Sequence, residues 1–423
     1  MKILIYFDKN LLEPIGGPTG YLYNIYQEAL KEKINDISFL DRDSAKRKMK
    51  IKKIYKKMPK FIQKKYKEFK RNKNRERILE QVFSNMPRKA VCDLNQYDIV
   101  HFHSTFDLYM VKDSLEDFKG TIVLTSHSPK ILHKEIIEDR MLFENISDEK
   151  VKEKLNKMDI IDDYAFNKAD FIIFPCEEAE EPYYHSWSKY AEFKKNNAQK
   201  YIYIPTGIVP IKIKEEKKDI RKDFNIPDDA FVISYVGRHN EVKGYDQLKV
   251  LGEKILKKYD NVYFLIAGTE KPLEGLKNQR WIEVGWTDKP HEIINASDLF
   301  ILPNKETYFD LILLEVLSIG KTVLMTETGG NKYFKKYEDS GIFYYDRDNI
   351  DEALEKFSTI YYSDNDKLGE RNKKIFNENF TIEIFVKRYM EELKKIAERE
   401  KKNNVWLCNY RKWAIWNNFC SWG

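Results

Sequence analysis

Twelve short hydrophobic runs alternate with longer helical patterns along the chain. They fall at 2–6, 37–40, 99–103, 121–125, 171–174 and 201–204, then at 232–236, 262–266, 281–284, 299–302, 322–325 and 342–345. Most are continuously apolar rather than alternating, as strands are when crossover helices cover both faces. Strands alternating with helices imply parallel sheets with right-handed crossovers, so the fold class is α/β. With 423 residues, two doubly wound sheets in two domains fit better than one very wide sheet. The join falls near Pro205-Thr206-Gly207, followed by a charged connector at 212–223. Domains are thus expected at 1–205 and 206–381, with a helix and tail at 382–423. Two facing sheets would leave a cleft at their carboxyl edges, where open α/β sheets bind ligands.

Composition narrows the class further. Hydrophobic residues make up 42% and aromatics 14%, which excludes wholesale disorder. No apolar run reaches about 18 residues, so no transmembrane helix is expected. The start, Met1-Lys-Ile-Leu-Ile-Tyr, enters a strand pattern directly, and export is not expected. Four scattered cysteines (Cys92, Cys176, Cys408, Cys420) make neither a disulfide framework nor a zinc site. The location implied is a reducing cytoplasm.

The net charge of +6 conceals an asymmetry. Residues 46–77 hold seventeen Lys/Arg against Glu68 and Glu76, a local +15 that leaves −9 for the remainder. Ile51, Ile54, Tyr55 and Met58, then Phe61, Ile62, Tyr66 and Phe69, recur at helical spacing around Pro59. A basic helix with interleaved apolar residues reads as a membrane-surface element, each cation near anionic lipid contributing about 1 kcal/mol. A solvated charged face is the plainer alternative, and no nucleic-acid module accompanies the segment. In the tail, Trp406, Trp413, Trp416 and Trp422 cluster with Arg411 and Lys412. Membrane-edge anchoring, packing against the body, and an unusual read-through sequence all remain open for it.

Four segments carry candidate chemistry. Gly16-Gly17-Pro18-Thr19-Gly20-Tyr21 follows the first strand and precedes a helix, a place where backbone can approach an anionic or hydroxyl-rich ligand. It is equally a tight strand–helix turn. His101, His103 and His127 end or follow adjacent strands. Gly237-Arg238-His239-Asn240-Glu241-Val242-Lys243-Gly244 follows a buried strand with two cations suited to a diphosphate. The segment from Pro303 to Gly320 places Glu306 and Asp310 before a helix and Glu315 on its second turn. Carboxylates there accept sugar hydroxyls, although a helix-capping acid is the ordinary reading. Thr328-Gly329-Gly330-Asn331 repeats the strand–glycine-loop pattern downstream.

Together these segments resemble the retaining family-four glycosyltransferases of the GT-B fold (glycosyl transferases group 1), most strongly over 230–335 and more loosely over 1–205. That family binds the donor pyrophosphate with G-R-x4-K-G, which maps onto Gly237, Arg238, Lys243 and Gly244. Its E-x7-E motif, typically E-G-F-G-L-x-x-x-E, maps onto Thr307-Tyr308-Phe309-Asp310-Leu311 through Glu315. Glu315 takes the ribose-binding place, but Thr307 stands where the first Glu belongs. Glu306, one residue early, and Asp310, three late, are the acids at hand to replace it. The resemblance also matches Gly16-Gly17 to the family's first loop and Thr125-x-His127 to its catalytic-domain histidine.

The resemblance implies two facing Rossmann-like domains, an N-terminal acceptor domain carrying 46–77 and a C-terminal donor domain, with the final helix returning to the first. It implies sugar transfer from a nucleotide-sugar, in first instance a UDP-sugar, to a lipid-linked or polysaccharide acceptor, with retention and without an essential metal. The catalytic set expected is His127, Arg238, Lys243, Glu306 and Asp310. Gly16, Gly17, Thr206, Gly237, Thr307, Tyr308, Phe309, Leu311 and Glu315 are expected at the donor, and His103 and Tyr21 at the acceptor. No cofactor, metal or nucleic acid is expected. Anionic membrane at the inner face of the cell membrane is the expected partner of 46–77. A nucleotide-sugar epimerase and a non-catalytic nucleotide-sugar-binding subunit are the competing readings.

Overall fold

The computed structural model describes residues 1–7, 17–40, 88–128 and 158–399, together with positions 59, 62, 65, 66, 69, 130–132 and 134. Most of the basic segment 46–77, Gly16 and the tryptophan-rich tail lie outside the described residues. Among the described residues twelve strands form two six-stranded sheets.

The first sheet runs in the order β2 (Ile37–Phe39), β1 (Ile3–Tyr6), β3 (Ile99–Phe102), β4 (Thr121–Leu124), β5 (Phe171–Phe174), β6 (Tyr201–Tyr203). The second runs β12 (Ile342–Tyr345), β11 (Thr322–Thr326), β10 (Leu299–Leu302), β7 (Phe231–Val236), β8 (Val262–Ala267), β9 (Trp281–Gly285). Pairing is parallel, with Ile3 level with both Ile37 and Ile99, and Leu299 level with both Ile233 and Thr322. Central strands β1, β3, β4, β5, β10 and β11 are buried at every residue, whereas β2 and β6 at the edges are not. The continuous apolar runs therefore mark sheet interiors covered on both faces.

Helices supply the two covers of the second sheet. Leu248, Leu251 and Ile255 of the helix Tyr245–Lys258 join Phe357 and Ile360 of Ile350–Tyr361 against one face. Ile220 of Lys217–Asp223 and Ile293 of Pro290–Ala296 join Ile226, Val232 and Leu265 on the other. Strand order reverses between β7 and β10, and in the first sheet between β1 and β3. At such points adjacent loops diverge and open a crevice at the carboxyl edge.

Two compact units emerge. One comprises residues 1–173, 194–202 and those from 386 onward; the other comprises 174–193 and 203–385. Residues 174–193, which the sequence groups with the first domain, belong instead with the second unit. The physical reason is local. Glu181 accepts hydrogen bonds from Lys332 Nζ and, at 3.3 Å, from Thr328 Oγ1. The ring of Phe174 lies 5.5 Å from that of Tyr308. The last helix covers 382–399 and buries Ile382, Phe385, Val386, Tyr389, Met390, Leu393 and Ile396 at helical spacing.

Candidate active site

Three loops meet at the carboxyl edge of the second sheet, following β7, β10 and β11. The first loop turns at Gly244, whose φ is +66°. A Cβ there would sit 1.7 Å from the Pro303 carbonyl oxygen, so no other residue fits. Gly329 (φ +43°) does the same for the third loop, where a Cβ would lie 2.0 Å from the Thr307 carbonyl oxygen. Backbone contacts that glycine alone permits thus press the β7 and β11 loops onto the β10 loop. Lys305 N–H donates to the Val242 carbonyl at 3.0 Å and Lys305 Nζ pairs with Asp246 at 2.6 Å.

This packing brings Lys243 to Asp310, with Nζ 2.8 Å from Oδ1. The other carboxylate oxygen of Asp310 accepts from Thr307 Oγ1 at 2.8 Å and from Asn304 Nδ2. Asp310 begins the helix Leu311–Ile319 without a side-chain hydrogen bond to its N–H groups, so it is not a capping acid. Its charge instead fixes the Lys243 ammonium beside that helix start. Lysine has three donors, so one bond to Asp310 leaves capacity for an anion. Arg238 is exposed and its guanidinium has no hydrogen-bond or ion-pair partner among the described residues. Two cations and a helix N-terminus therefore stand at one sheet edge, the electrostatics a diphosphate requires.

Glu315, one turn into the same helix, bonds His291 at 3.0 Å between Oε2 and Nε2. A carboxylate only accepts, so the proton sits on His291 Nε2. His291, on Pro290–Ala296, was not legible as a site residue, because nothing in its local sequence points 24 residues along the chain to Glu315.

The remaining expected donor residues divide. Gly237 heads the β7 loop and donates its N–H to the Ala267 carbonyl at 3.0 Å. Glu306 lies half-buried in the β10 loop, and Leu311 opens the helix. Phe309 points its ring into the interior, 5.6 Å from Phe334 and 6.1 Å from Tyr333, so its side chain is packing rather than ligand surface. The Tyr308 ring packs on Phe174 with the two planes tilted by 47°. Thr206 is buried near the Ile208–Thr381 bridge and shares no hydrogen bond with the Lys243–Asp310 cluster.

His239, inside the diphosphate loop, serves the core. It is fully buried, stacks on Tyr245 with ring centroids 3.9 Å apart, and neither ring nitrogen has a hydrogen-bond partner among the described residues. Burial lowers its pKa to about 4. The folded state therefore holds it neutral, while the unfolded chain takes up a proton below about 6.5. Its contribution is present above that pH and is lost as pH falls toward 4, up to about 3 kcal/mol. Urea-unfolding midpoints of wild type and His239→Phe are expected to diverge in slope across this window, the variant being flatter. Parallel slopes would refute the assignment.

The first unit gathers a second group at the carboxyl edge of β3 and β4. His101 lies within β3, fully buried, bonded to Tyr389 OH at 2.6 Å and to Thr125 Oγ1 at 2.9 Å. Both of its ring nitrogens are therefore engaged within the fold. His103 Nδ1 meets His127 Nε2 at 2.8 Å. Tyr21 packs edge-on to His127, centroids 4.7 Å apart, and 5.8 Å from His103. Tyr21 is placed there by the helix Pro18–Lys31, which Gly17 precedes as N-cap. Burial raises the Tyr21 phenol pKa and lowers those of His101 and His103 well below the ordinary histidine value.

Residues 216–375, which carry the Arg238, Lys243, Asp310 and Glu315 arrangement, match the family model described as Glycosyl transferases group 1. The match spans this stretch of the chain and not its first 215 residues. Related proteins agree with the match. The O-antigen biosynthesis glycosyltransferase WclY of Escherichia coli is 24% identical over 187 residues, 42% of this chain and 50% of that protein. The lipopolysaccharide 1,2-N-acetylglucosaminetransferase of Salmonella typhimurium is 22% identical over 211 residues, 45% and 55% of the two chains. The chain spans about half the length of the curated relatives it matches. Among solved structures, a glycosyltransferase from Rickettsia africae superposes with a TM-score of 0.57 at 16% identity, covering 93% of this chain and 97% of that one. Anabaena Alr3699/HepE in complex with UDP and glucose superposes at 0.56 and 12% identity, covering 93% and 99%. The fold is GT-B, and the group 1 match falls in its second half.

Proposed function

We propose that this protein is a retaining glycosyltransferase that moves a sugar from a nucleotide-sugar, in first instance a UDP-sugar, to a lipid-linked or polysaccharide acceptor. The observation that carries the reading is the Lys243–Asp310 pair beside Arg238 at the carboxyl edge of the sheet within the group 1 match. A departing nucleoside diphosphate gains negative charge in the transition state. Arg238, Lys243 and the start of the helix Leu311–Ile319 are preorganised donors for that charge. Glu315, oriented by His291, takes the ribose hydroxyls. The solved relative bound to UDP and glucose supports a UDP-sugar as the first donor to try. Side-chain cations at the phosphate site support catalysis without an essential metal.

Nucleoside diphosphate release from a panel of nucleotide-sugars, with and without glycan and lipid-linked acceptors, tests this. Release that requires an acceptor and survives EDTA is expected. An absolute need for Mn²⁺ or Mg²⁺ would contradict the metal-free part. Thr307 in place of a carboxylate favours one second reading, a nucleotide-sugar-binding subunit, for which donor binding without turnover is the outcome. Interconversion of the sugar without release would instead indicate epimerisation.

We also propose that 46–77 brings the enzyme to anionic membrane at the inner face of the cell membrane. The seventeen cations against two acids support it, as does similarity to proteins of O-antigen and lipopolysaccharide synthesis. Among the described residues no helix is long and apolar enough to cross a membrane. Co-sedimentation with anionic vesicles at low salt, lost at high salt and absent with neutral vesicles, is the expected result. Equal binding to both vesicle types would refute it.

A further inference from the structure

We propose that Tyr235 is a positioning residue for Arg238: its buried phenol clamps the Arg238 carbonyl and so sets where the guanidinium meets an anionic ligand. The consequence for donor binding rests on the transferase reading above; the clamp itself does not.

Tyr235 is the penultimate residue of β7 and is 1% exposed. Its ring belongs to the apolar core of the second sheet, 5.5 Å from the Tyr245 ring and 6.1 Å from that of His239. A phenol in such a core needs a partner for its hydroxyl. The hydroxyl reaches past the end of its own strand and donates to the Arg238 carbonyl at 2.8 Å. Gly237 leaves the room for this, since a Cβ there would sit 2.7 Å from the phenol oxygen. Burial, with the Asp310 carboxylate adding to it, raises the phenol pKa and keeps the hydroxyl a donor.

The backbone around Arg238 is held at three consecutive residues. The Arg238 carbonyl also accepts the Asn240 N–H at 3.0 Å, so both of its lone pairs are filled. On one flank Gly237 N–H donates to the Ala267 carbonyl at 3.0 Å, and on the other the His239 carbonyl accepts the Leu273 N–H at 3.1 Å. These are main-chain bonds. Among the described residues Tyr235 is the one side chain that bonds Arg238. The guanidinium has no partner to fix it from its far end, so its reach is set at the backbone. A donor whose origin is fixed in advance loses less freedom when the ligand binds. Tyr235, buried in the core, therefore acts on the ligand through Arg238 rather than by contact.

Tyr235→Phe removes the hydroxyl alone, and the Asn240 N–H still serves the Arg238 carbonyl, so the fold is expected to persist. Calorimetric titration with UDP is expected to show affinity about three- to tenfold weaker than wild type, the usual loss for one hydrogen bond. The same change in an Arg238→Ala background is expected to cost less than about twofold, because the two residues act as one unit. Tyr259→Phe, which strips a phenol bonded to Ser358 from the same core, is expected to leave UDP affinity unchanged. Without ligand, amide hydrogen exchange is expected to speed up across 237–244 in Tyr235→Phe and to stay as in wild type within β10. An equal loss in both backgrounds, no loss in the wild-type background, or unchanged exchange at 237–244 would overturn the proposal. Because exchange needs no nucleotide, faster exchange in a protein that binds no nucleotide supports the clamp while refuting the donor reading.

Discussion

Replacing Lys243 with alanine is expected to lower donor turnover by about 10²–10³-fold, the usual loss for one preorganised donor to a developing anion. The ammonium is held by Asp310 at 2.8 Å, and Asp310 is held in turn by Thr307 and Asn304. Its position is therefore set before a ligand arrives, and little reorganisation is left for the reaction itself. Arg238→Ala is expected to lose a comparable factor, since an exposed guanidinium without an internal partner has no structural duty to confuse the result. Asp310→Asn separates the two roles that the sequence left open. As a sugar-facing acid, Asp310 would leave donor KM altered and Lys243 unaffected. As the holder of Lys243, which its three hydrogen bonds favour, its loss would lower kcat in the same direction as Lys243→Ala. Comparing kcat and KM for the three variants decides between them.

Asp298→Ala is expected to destabilise the second unit by about 3–5 kcal/mol, the usual result of stripping one partner from a buried ion pair. Asp298 Oδ2 accepts from Arg221 at 2.7 Å and from the Val232 N–H at 2.7 Å, while Lys217 pairs with Oδ1. Arg221 is 4% exposed and also donates to the carbonyls of Ala230 and Ala296 at 2.9 Å each. Removing the carboxylate leaves a buried guanidinium without its counter-charge and an unpaired strand N–H. Denaturant unfolding followed by far-ultraviolet circular dichroism reads the loss. A change below about 1 kcal/mol, the scale of an exposed pair, would mean that water replaces the carboxylate.

These same residues show what a sequence makes legible. Asp98, Asp170 and Asp298 each stand just before an apolar run, and each side chain accepts the backbone N–H of a residue beginning the neighbouring strand: Lys2, Ile122 and Val232, at 2.7–2.8 Å. An acid followed by a continuous hydrophobic run is a local signal with a local cause, so strands and sheet edges could be read directly. The glycines of the β7 and β11 loops were legible as turns. That their missing side chains admit the β10 loop was not, because the contacts join segments about sixty and twenty residues apart. For the same reason the pairing of Lys243 with Asp310, the support of Glu315 by His291 and the inward turn of Phe309 had no signature in the chain. The segment 174–193 was assigned by adjacency, whereas Glu181 and Phe174 commit it to the second unit through Lys332, Thr328 and Tyr308.

The central claim is that the carboxyl edge of the second sheet binds the diphosphate of a nucleotide-sugar. Isothermal titration calorimetry of UDP and UDP-glucose against wild type, Arg238→Ala and Lys243→Ala tests it most directly. Saturable binding by wild type, weakened at least tenfold in each variant whose fold is intact, is the predicted result. Undiminished binding in both variants would contradict it.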